Sequence, residues 1–228
     1  MINMTDKLPF ELLSPKLLTK QSPQTAAGLA CPPDQRPIDR RLDFAIVNLD
    51  KPAGITSRDA ADSVNRILGI KKSGHSGILD PAVTGVLPIG IGRATRVITT
   101  ILSAGKEYIA NMQLHSDIDE NTIRSVFADF TTTITQTPPV RSRVKRRPRK
   151  RTIYYLRIRH IHNRRITFRV GCQAGTYIRK LAHDMGIAMK TTAHMTGLRR
   201  TKAGPLTERT LTSLDDLQTA FDKLDRKS

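Results

Sequence analysis

The stretch that organises the chain is Gly74-His75-Ser76-Gly77-Ile78-Leu79-Asp80-Pro81-Ala82-Val83-Thr84-Gly85-Val86-Leu87-Pro88. It follows a predicted helix and runs into a predicted strand. Glycines precede Asp80 and Pro81 follows it, so this acidic residue is expected on a loop and not within a hydrogen-bonded ladder. Asp-Pro pairs often cap turns, and the local sequence alone slightly favours that simple role for Asp80 over a chemical one.

Periodic patterns on both sides of this loop predict an α+β fold, with a mostly antiparallel mixed sheet flanked by helices and loops. Upstream, residues 44–49 predict a buried strand, and Thr56 or Ser57 caps a helix that ends at Gly69. Downstream, the predicted strands are 86–91, 106–115, 153–161, 166–172 and one that runs through 198. The predicted helices are 93–102, 119–130, 176–189 and 211–224.

Composition divides the chain of 228 residues into three predicted parts. Residues 1–40 are rich in Pro, Ser, Thr, Gln and Lys, and this composition predicts an extended arm. Residues 41–206 carry the periodic patterns of one globular domain. Residues 207–228 predict a helical tail that is too short to form a further domain.

The charge is unevenly distributed and indicates a polyanionic partner. The chain has 38 Lys and Arg against 20 Asp and Glu, a net charge of +18. Fifteen of the basic residues and none of the acidic ones fall between Phe130 and His183, which leaves 23 against 20 elsewhere. Such a concentrated basic field predicts a nucleic-acid surface, here RNA. The residues predicted to contact RNA are Lys145, Arg146, Arg147 and Arg149.

Other classes of function receive no support from the sequence. No apolar run is long enough to span a bilayer, and residues 141–151 lack the large apolar face of a membrane anchor. The first 20 residues lack the apolar segment of a signal peptide, so a cytoplasmic location is expected. Cys31 and Cys172 are then expected as two free thiols. No Cys/His cluster has metal-ligand spacing, which predicts no metal.

Several motifs, in a fixed order, resemble those of the TruB/dyskerin-type pseudouridine synthase family. The resemblance covers roughly residues 36–206, and its most specific part is the loop around Asp80, which is similar to the catalytic loop of that family. The other matching motifs are 49–54, 56–57, 92–96, 106–108, 175–179 and 194–200. One departure is Ile78, where the family commonly has Thr. The resemblance implies the pseudouridine synthase fold, with 41–206 as the catalytic domain.

The reaction implied by the resemblance is the isomerisation of uridine to pseudouridine. The bonds broken and formed balance, so the resemblance implies no cofactor and no metal. Asp80 is implied as the catalytic carboxylate, because cleavage of a glycosidic bond develops positive charge on the sugar that a carboxylate can stabilise or trap. Arg179 is implied as its ionic partner, although a phosphate contact would equally suit an arginine in a basic stretch.

The remaining implied site residues contact the substrate. Tyr108 resembles the tyrosine that stacks on the target base, although a tyrosine in the core of a strand is also common. Tyr177 resembles a wall of the active site, and Leu198 an apolar residue of the pocket, for which a core leucine is nearly as good an explanation. His75 resembles the residue near the position that the extruded base vacates.

Two substrate routes remain open within the family. A stand-alone enzyme acts on the T-loop uridine of transfer RNA, whereas a dyskerin-like subunit acts within box H/ACA particles, where a guide RNA selects the uridine in ribosomal RNA. Residues 34–38 and 136–147 resemble the archaeal and eukaryotic dyskerin branch, but the tail after Leu206 is too short for the PUA domain usual there. We therefore expect an archaeal-type enzyme that acts on transfer RNA without a guide. A non-catalytic RNA-binding protein of the same fold is a further alternative.

Overall fold

The computed structural model describes residues 6–14, 16, 18, 32, 35–138 and 145–225. The helices in this part of the chain are α1 (Ile38–Leu42), α2 (Ser57–Ile67), α3 (Thr95–Ser103), α4 (Glu120–Asp129), α5 (Ile178–Ala188) and α6 (Leu214–Asp225). The strands are β1 (Ile46–Lys51), β2 (Ser73–His75), β3 (Thr84–Ile91), β4 (Lys106–Leu114), β5 (Thr133–Gln136), β6 (Arg149–His162), β7 (Arg165–Cys172), β8 (Ala193–Ala203) and β9 (Leu206–Thr207).

The strands of the described residues form one sheet in the order β1-β3-β8-β4-β7-β6-β5, in which β2 also pairs with β3 and β9 with β8. Only the β3–β8 pair is parallel. The predicted α+β class with a mostly antiparallel sheet flanked by helices is therefore confirmed.

Along one edge of β3, the start and the end of the strand pair with different strands. Gly90 pairs with β1 on one side and β2 on the other, and Gly85 pairs with β1 on one side and Arg200 of β8 on the other. The strands β2 and β8 therefore share one edge of β3, and residues 76–83 connect β2 back to the start of β3 between them. The peptide N–H of Ser76 donates to the carbonyl of Pro88 at 3.0 Å. The topology thus holds both ends of the loop around Asp80.

Several element predictions were wrong in detail. The predicted loop between 71 and 84 contains β2, and the predicted irregular stretch 136–150 contains the end of β5 and the first residues of β6. β2 has three residues and β5 has four, which is too short for an alternating pattern to stand out from the sequence. The predicted strand ending near 198 continues to Ala203 and carries further residues of the candidate site.

Two hydrophobic clusters meet in the middle of the sheet. The larger one lies between the central strands and the helices α4 and α5, and includes Phe168 and Leu181, which are fully buried. The second packs β1 and β3 against α2 and α6. Tyr108 and Leu198 pack against both clusters. Burial of each large apolar side chain contributes about 1.5–3 kcal/mol, so the contact between the clusters fixes the relative positions of the elements they join.

The described part of residues 1–40, which the sequence predicts as an extended arm, includes a 3-10 helix (Pro9–Leu12) and most of α1. Leu8 is fully buried. Asp6 pairs with Arg157 of β6 at 2.8 Å and with Arg169 of β7 at 3.4 Å. Residues 6–12 therefore lie on the sheet, which the polar composition of the segment did not indicate.

The beginning of α2 shows how the local sequence positions the loop. The hydroxyl of Thr56 accepts a hydrogen bond from the Asp59 N–H at 3.1 Å, and the Asp59 carboxylate accepts one from the Thr56 N–H at 2.9 Å. This reciprocal capping box satisfies two of the otherwise unpaired donors at the helix start. It confirms the predicted cap and places Ser57, in the first turn of α2, against the Asp80 loop.

We expect Thr56→Ala to lower the free energy of unfolding by about 0.5–2 kcal/mol, because the helix loses its N-cap acceptor. Urea denaturation followed by circular dichroism measures this change. The control is Thr99→Ala, which removes an exposed threonine within α3 whose hydroxyl donates to the Arg96 carbonyl. That change should be close to neutral because alanine is the better helix former. Equal destabilisation by both variants would contradict the capping role.

Candidate active site

Asp80 lies on the loop between β2 and β3, and its carboxylate forms an ion pair with Arg179 in the first turn of α5. The two residues are 99 positions apart in sequence. The Asp80 side chain remains 51% exposed and that of Arg179 57% exposed. The pair is therefore accessible to a ligand, and the predicted Asp80–Arg179 contact is present.

The loop around Asp80 is held by backbone hydrogen bonds on both sides of the carboxylate. The N–H of Leu79 donates to the Ser57 hydroxyl at 2.8 Å, and the N–H of Val83 donates to the Asp80 carbonyl at 2.9 Å. Leu79 is buried, whereas its neighbour Ile78 is 67% exposed. Because Leu79 points into the core, the residues on either side of it, Ile78 and Asp80, are exposed to solvent.

Lys51, the last residue of β1, binds the backbone of this loop. Its side chain is fully buried, and its ammonium donates to the carbonyls of Pro52 at 2.7 Å, Pro81 at 3.1 Å and Val83 at 2.9 Å. An ammonium has three donors, and all three are satisfied here by the backbone. Two of the acceptors flank the turn immediately after Asp80, so Lys51 fixes the direction in which the loop leaves the carboxylate.

Gly85 allows β3 and β8 to approach each other closely at this point. Its φ is +101°, a region that favours glycine, and a Cβ there would lie 2.2 Å from the Arg200 carbonyl oxygen. A side chain at position 85 would therefore separate the loop around Asp80 from β8, the strand that carries Leu198 and Arg200.

Arg200 is a buried cation that the sequence interpretation did not assign to the site. Only 1% of the residue is exposed; its Nε donates to the Val86 carbonyl at 2.7 Å, and its Nη2 has no hydrogen-bond partner among the described residues. Burial lowers the pKa of Arg200, and the adjacent Tyr108 opposes that change. Alternation along β8 could have indicated that position 200 faces inward, but an arginine in a basic region is usually a surface residue.

Two buried lysines share the electrostatic environment of Arg200. Burial, and then repulsion by Arg200, lowers the pKa of Lys51, while attraction by Asp80 opposes that change. Burial and Arg200 lower the pKa of Lys106 to about 8. The Lys106 ammonium donates to three carbonyls at the end of α3, those of Ile101, Leu102 and Ala104, each at 2.8 Å. These buried positive charges therefore favour a negatively charged group, such as a carboxylate, in their neighbourhood.

Tyr108 and Leu198 lie where the two hydrophobic clusters meet. Tyr108 of β4 is opposite Arg200 of β8, and Leu198 is opposite Ala110. Burial raises the pKa of the Tyr108 hydroxyl, and the Arg200 charge opposes this. The negative charge of Asp80 also raises the pKa of the Tyr108 hydroxyl. The structure therefore brings an aromatic ring, an apolar side chain and the carboxylate into one region, and Tyr108 and Leu198 also belong to the core.

The other two predicted substrate contacts flank this region. His75 belongs to β2, its Nδ1 is buried without a hydrogen-bond partner among the described residues, and burial lowers its pKa. The imidazole is therefore neutral at pH 7. Tyr177 immediately precedes α5 and is partly buried. The structure places His75 on the strand before the Asp80 loop and Tyr177 directly before the helix that carries Arg179. Their roles toward a substrate remain predictions.

The predicted RNA-binding residues occupy the segment before β6 and its first residue. Lys145, Arg146 and Arg147 are exposed, and Arg149 is half-buried. Arg149 pairs in register with Gln136, whose side chain reaches Tyr177. This basic segment is thus linked to the start of α5. Residues 139–144 of the predicted basic stretch lie outside the described residues.

No group of three or more His, Cys, Asp or Glu side chains suited to a metal ion occurs in the described residues. Cys172 is a buried free thiol whose pKa burial raises to about 12, and Cys31 lies outside the described residues. Among the described residues, no helix is both long and apolar enough to cross a membrane.

Comparison with protein-family models gives three matches. Residues 65–178 match the TruB family pseudouridylate synthase (N terminal domain), and residues 179–227 match the tRNA pseudouridylate synthase B C-terminal domain. Residues 5–60 match the DKCLD (NUC011) domain. The resemblance derived from the sequence motifs is confirmed.

Similar curated proteins include two named "Probable tRNA pseudouridine synthase B". The one from Methanopyrus kandleri is 48% identical over 95% of this chain and 64% of its own length. The one from Pyrococcus abyssi is 47% identical over 92% of this chain and 63% of its own length. The chain therefore spans slightly less than two thirds of these relatives.

Two similar solved structures are chains of multi-component complexes. A chain in the "Crystal Structure of a Cbf5-Nop10-Gar1 Complex" superposes with a TM-score of 0.91 and 43% identity, over 97% of this chain and 68% of that chain. A chain in the "Structure of H/ACA RNP bound to a substrate RNA containing 2'-deoxyuridine" has a TM-score of 0.81 and 42% identity, over 90% of this chain and 62% of its own. These matches confirm the predicted fold.

We expect Lys51→Met to loosen the Asp80 loop, because the three carbonyls lose a charged donor while the side-chain volume is nearly kept. Loss of hydrogen bonds to a charged group should lower the free energy of unfolding by about 1.5–3 kcal/mol. Amide hydrogen exchange should accelerate at Val83 and at Gly54, whose N–H donates to the Pro81 carbonyl at 3.0 Å.

The matched control for this loop is Lys106→Met, which removes the same number of carbonyl contacts at the end of α3. Exchange should then accelerate around residues 101–104 and remain unchanged at Val83. If Lys51→Met left the exchange of Val83 and Gly54 unaltered, the lysine would not determine the conformation of the loop.

Proposed function

The chain belongs to the TruB family of pseudouridylate synthases, and on this premise we propose that it isomerises uridine to pseudouridine in RNA. The observation that carries the proposal is the ion pair between Asp80 and Arg179, which lies half-exposed beside Tyr108 and buried cations. The same proposal assigns the protein a cytoplasmic location.

The reaction conserves atoms and electrons and therefore needs no cofactor. The bond between N1 of uracil and C1′ of the ribose breaks, the base turns, and C5 forms a new bond to C1′. The hydrogen on C5 is then lost as a proton, and N1 is protonated. The protein has to bind the extruded nucleotide, stabilise the charge that develops on the sugar and keep the detached base in place.

Asp80 is the group that acts on the sugar. A carboxylate beside the ribose stabilises or traps positive charge as the glycosidic bond breaks, in the manner of glycosidases. Arg179 orients this carboxylate, because the ion pair with an adjacent guanidinium limits its rotation. The contact from Lys51 to the backbone after Asp80 holds the carboxylate's loop against displacement by the substrate.

The remaining site residues bind the base and the nucleotide. The ring of Tyr108 provides a surface on which an extruded pyrimidine stacks, and Leu198 beside it contributes an apolar wall. Tyr177 bounds the opposite side next to Arg179, and neutral His75 faces the space that the target base leaves. The basic residues Lys145, Arg146, Arg147 and Arg149 contact phosphates of the RNA.

The T-loop uridine of transfer RNA is the proposed substrate, and the names of the curated relatives support it. A second candidate is guided modification of ribosomal RNA with box H/ACA guide RNA and its proteins. The likeness to a chain solved with Nop10 and Gar1 favours this candidate. Both candidates use the same chemistry at Asp80 and differ only in how the RNA is held.

We expect the purified chain to form pseudouridine in the T-loop of an unmodified transfer RNA transcript without guide RNA. Asp80→Asn should lower the single-turnover rate by at least roughly 100-fold, because the amide cannot carry the required charge. Its affinity for the transcript should change little. Pseudouridine is mapped by chemical labelling and primer extension, and binding is measured by filter retention.

Different outcomes separate the candidate functions. Modification that requires a guide RNA and partner proteins would favour the H/ACA role over direct action on transfer RNA. Full activity of Asp80→Asn would contradict the assigned chemistry. RNA binding with no modification under either condition would instead favour a non-catalytic RNA-binding protein of this fold.

We expect Arg146→Gln with Arg147→Gln to weaken RNA binding without changing which uridine reacts. Loss of two phosphate contacts should make the slope of log affinity against log salt shallower by roughly 1.5. Fluorescence anisotropy at several salt concentrations measures this slope. Arg124→Gln with Lys223→Gln removes the same charge from α4 and α6 and should leave the slope unchanged. If both double variants changed the slope equally, the effect would reflect net charge and not a local surface.

A further inference from the structure

Gln136, the last residue of β5, binds the peptide group of Tyr177 through both atoms of its side-chain amide. Its Oε1 accepts from the Tyr177 N–H at 3.0 Å, and its Nε2 donates to the Tyr177 carbonyl at 3.1 Å. Gln136 is only 2% exposed. A buried amide that pairs with both polar atoms of one residue fixes the position and the orientation of that backbone.

The backbone held in this way begins the element that carries the ion-pair partner of Asp80. Tyr177 is the N-cap of α5, and no side chain of its own caps the helix. Arg179 follows within the first turn and reaches Asp80. Rotation or displacement of the Tyr177 peptide would therefore move both the Tyr177 ring and the Arg179 guanidinium relative to the carboxylate.

Gln136 also adjoins the basic surface. Its partner in the β5–β6 register is Arg149, a half-buried residue whose Nε has no hydrogen-bond partner among the described residues. Arg151, two residues further along β6, lies against the turn before α5: a Cβ on Gly175 would be 3.1 Å from its guanidinium. The first residues of β6 thus touch the active-site turn from the side that carries the predicted RNA contacts.

We propose that Gln136 is a positioning residue. When RNA binds the start of β6, Gln136 restrains the positions of Tyr177 and Arg179. The inference rests on the proposed function, because it assigns a role in orienting the group that partners Asp80. RNA phosphates that bind Arg149 restrain the paired strands β5 and β6. The two hydrogen bonds from Gln136 to Tyr177 then restrain the N-terminus of α5. Gln136 does not itself touch the reacting atoms.

The kinetic test compares Gln136→Met, which keeps the volume and removes both hydrogen bonds, with Gln136→Glu, which keeps the acceptor for the Tyr177 N–H. At saturating transfer RNA, the single-turnover rate of Gln136→Met should fall at least about tenfold, since displacements of roughly 1 Å have large effects on rates. Its dissociation constant should stay within about twofold of the unmodified protein's. Gln136→Glu should recover part of the rate.

The matched control is Asn48→Leu. Asn48 is another buried amide with two hydrogen bonds, to the Thr207 carbonyl at 2.9 Å and the Thr210 hydroxyl at 2.8 Å. Its loss should lower the melting temperature but leave the saturated rate unchanged. An unaltered rate in Gln136→Met, or an equal loss of rate in Asn48→Leu, would overturn the proposal.

Amide hydrogen exchange tests the coupling without turnover and so separates its failure from failure of the proposed function. Binding of the transfer RNA transcript should slow exchange in residues 176–182 of the unmodified protein. In Gln136→Met, the slowing should persist in residues 145–150 and vanish in residues 176–182. Slowing of 176–182 in both proteins, or in neither, would overturn the proposal whether or not pseudouridine is formed.

Discussion

The buried ammonium of Lys51 is the contact on which the candidate site depends. Removing a lysine from water carries a penalty of several kcal/mol, which is offset here by three backbone carbonyls at hydrogen-bonding distance. Two of those carbonyls belong to the loop that carries Asp80, so displacement of the loop would leave the buried ammonium without these acceptors. The Lys51 ammonium also lies close enough to Asp80 for the two charges to attract each other, which opposes the lowering of the Lys51 pKa by burial. One side chain therefore holds the shape of the loop and places a positive charge near its acid.

The site lies at the meeting point of two hydrophobic clusters, and this location gives it rigidity. Tyr108 and Leu198 pack against both clusters, so the surface proposed to receive the base is built from core residues. The Asp80 loop is anchored in one cluster through Leu79, and α5 packs in the other through Leu181. The Asp80–Arg179 pair joins elements from opposite sides of this boundary. Relative movement of the two clusters would therefore change the distance between Asp80 and Arg179. Gln136 restrains α5, the helix that carries Arg179.

The sequence predicted the fold class and the main site residues because their signals are local or carried by motifs. The cap of α2 at Thr56 follows from neighbouring residues, and Asp80 and Arg179 belong to recognisable motifs although they are far apart. Arg200, Lys106 and Gln136 were missed for a physical reason. Their roles arise from burial, and those of Arg200 and Gln136 also from partners distant in sequence. An arginine or lysine in a basic chain is normally exposed. The short strands β2 and β5 were missed because three and four residues are too few for an alternating pattern to stand out from the sequence.

Charge has two separate functions in this molecule, distinguished by burial. Exposed residues such as Arg146 and Arg147 interact with solvent and ions, so their attraction for phosphates is long-ranged and sensitive to salt. The buried Lys51, Lys106 and Arg200 are screened far less, and their pKa values are lowered by burial because the protein provides few compensating anions. An anionic nucleotide attracted by the first group would thus enter a site whose own positive charge is fixed and satisfied mainly by carbonyls. Asp80 is the acid that the site presents beside Arg179, and its orientation, more than the overall charge, determines the proposed chemistry.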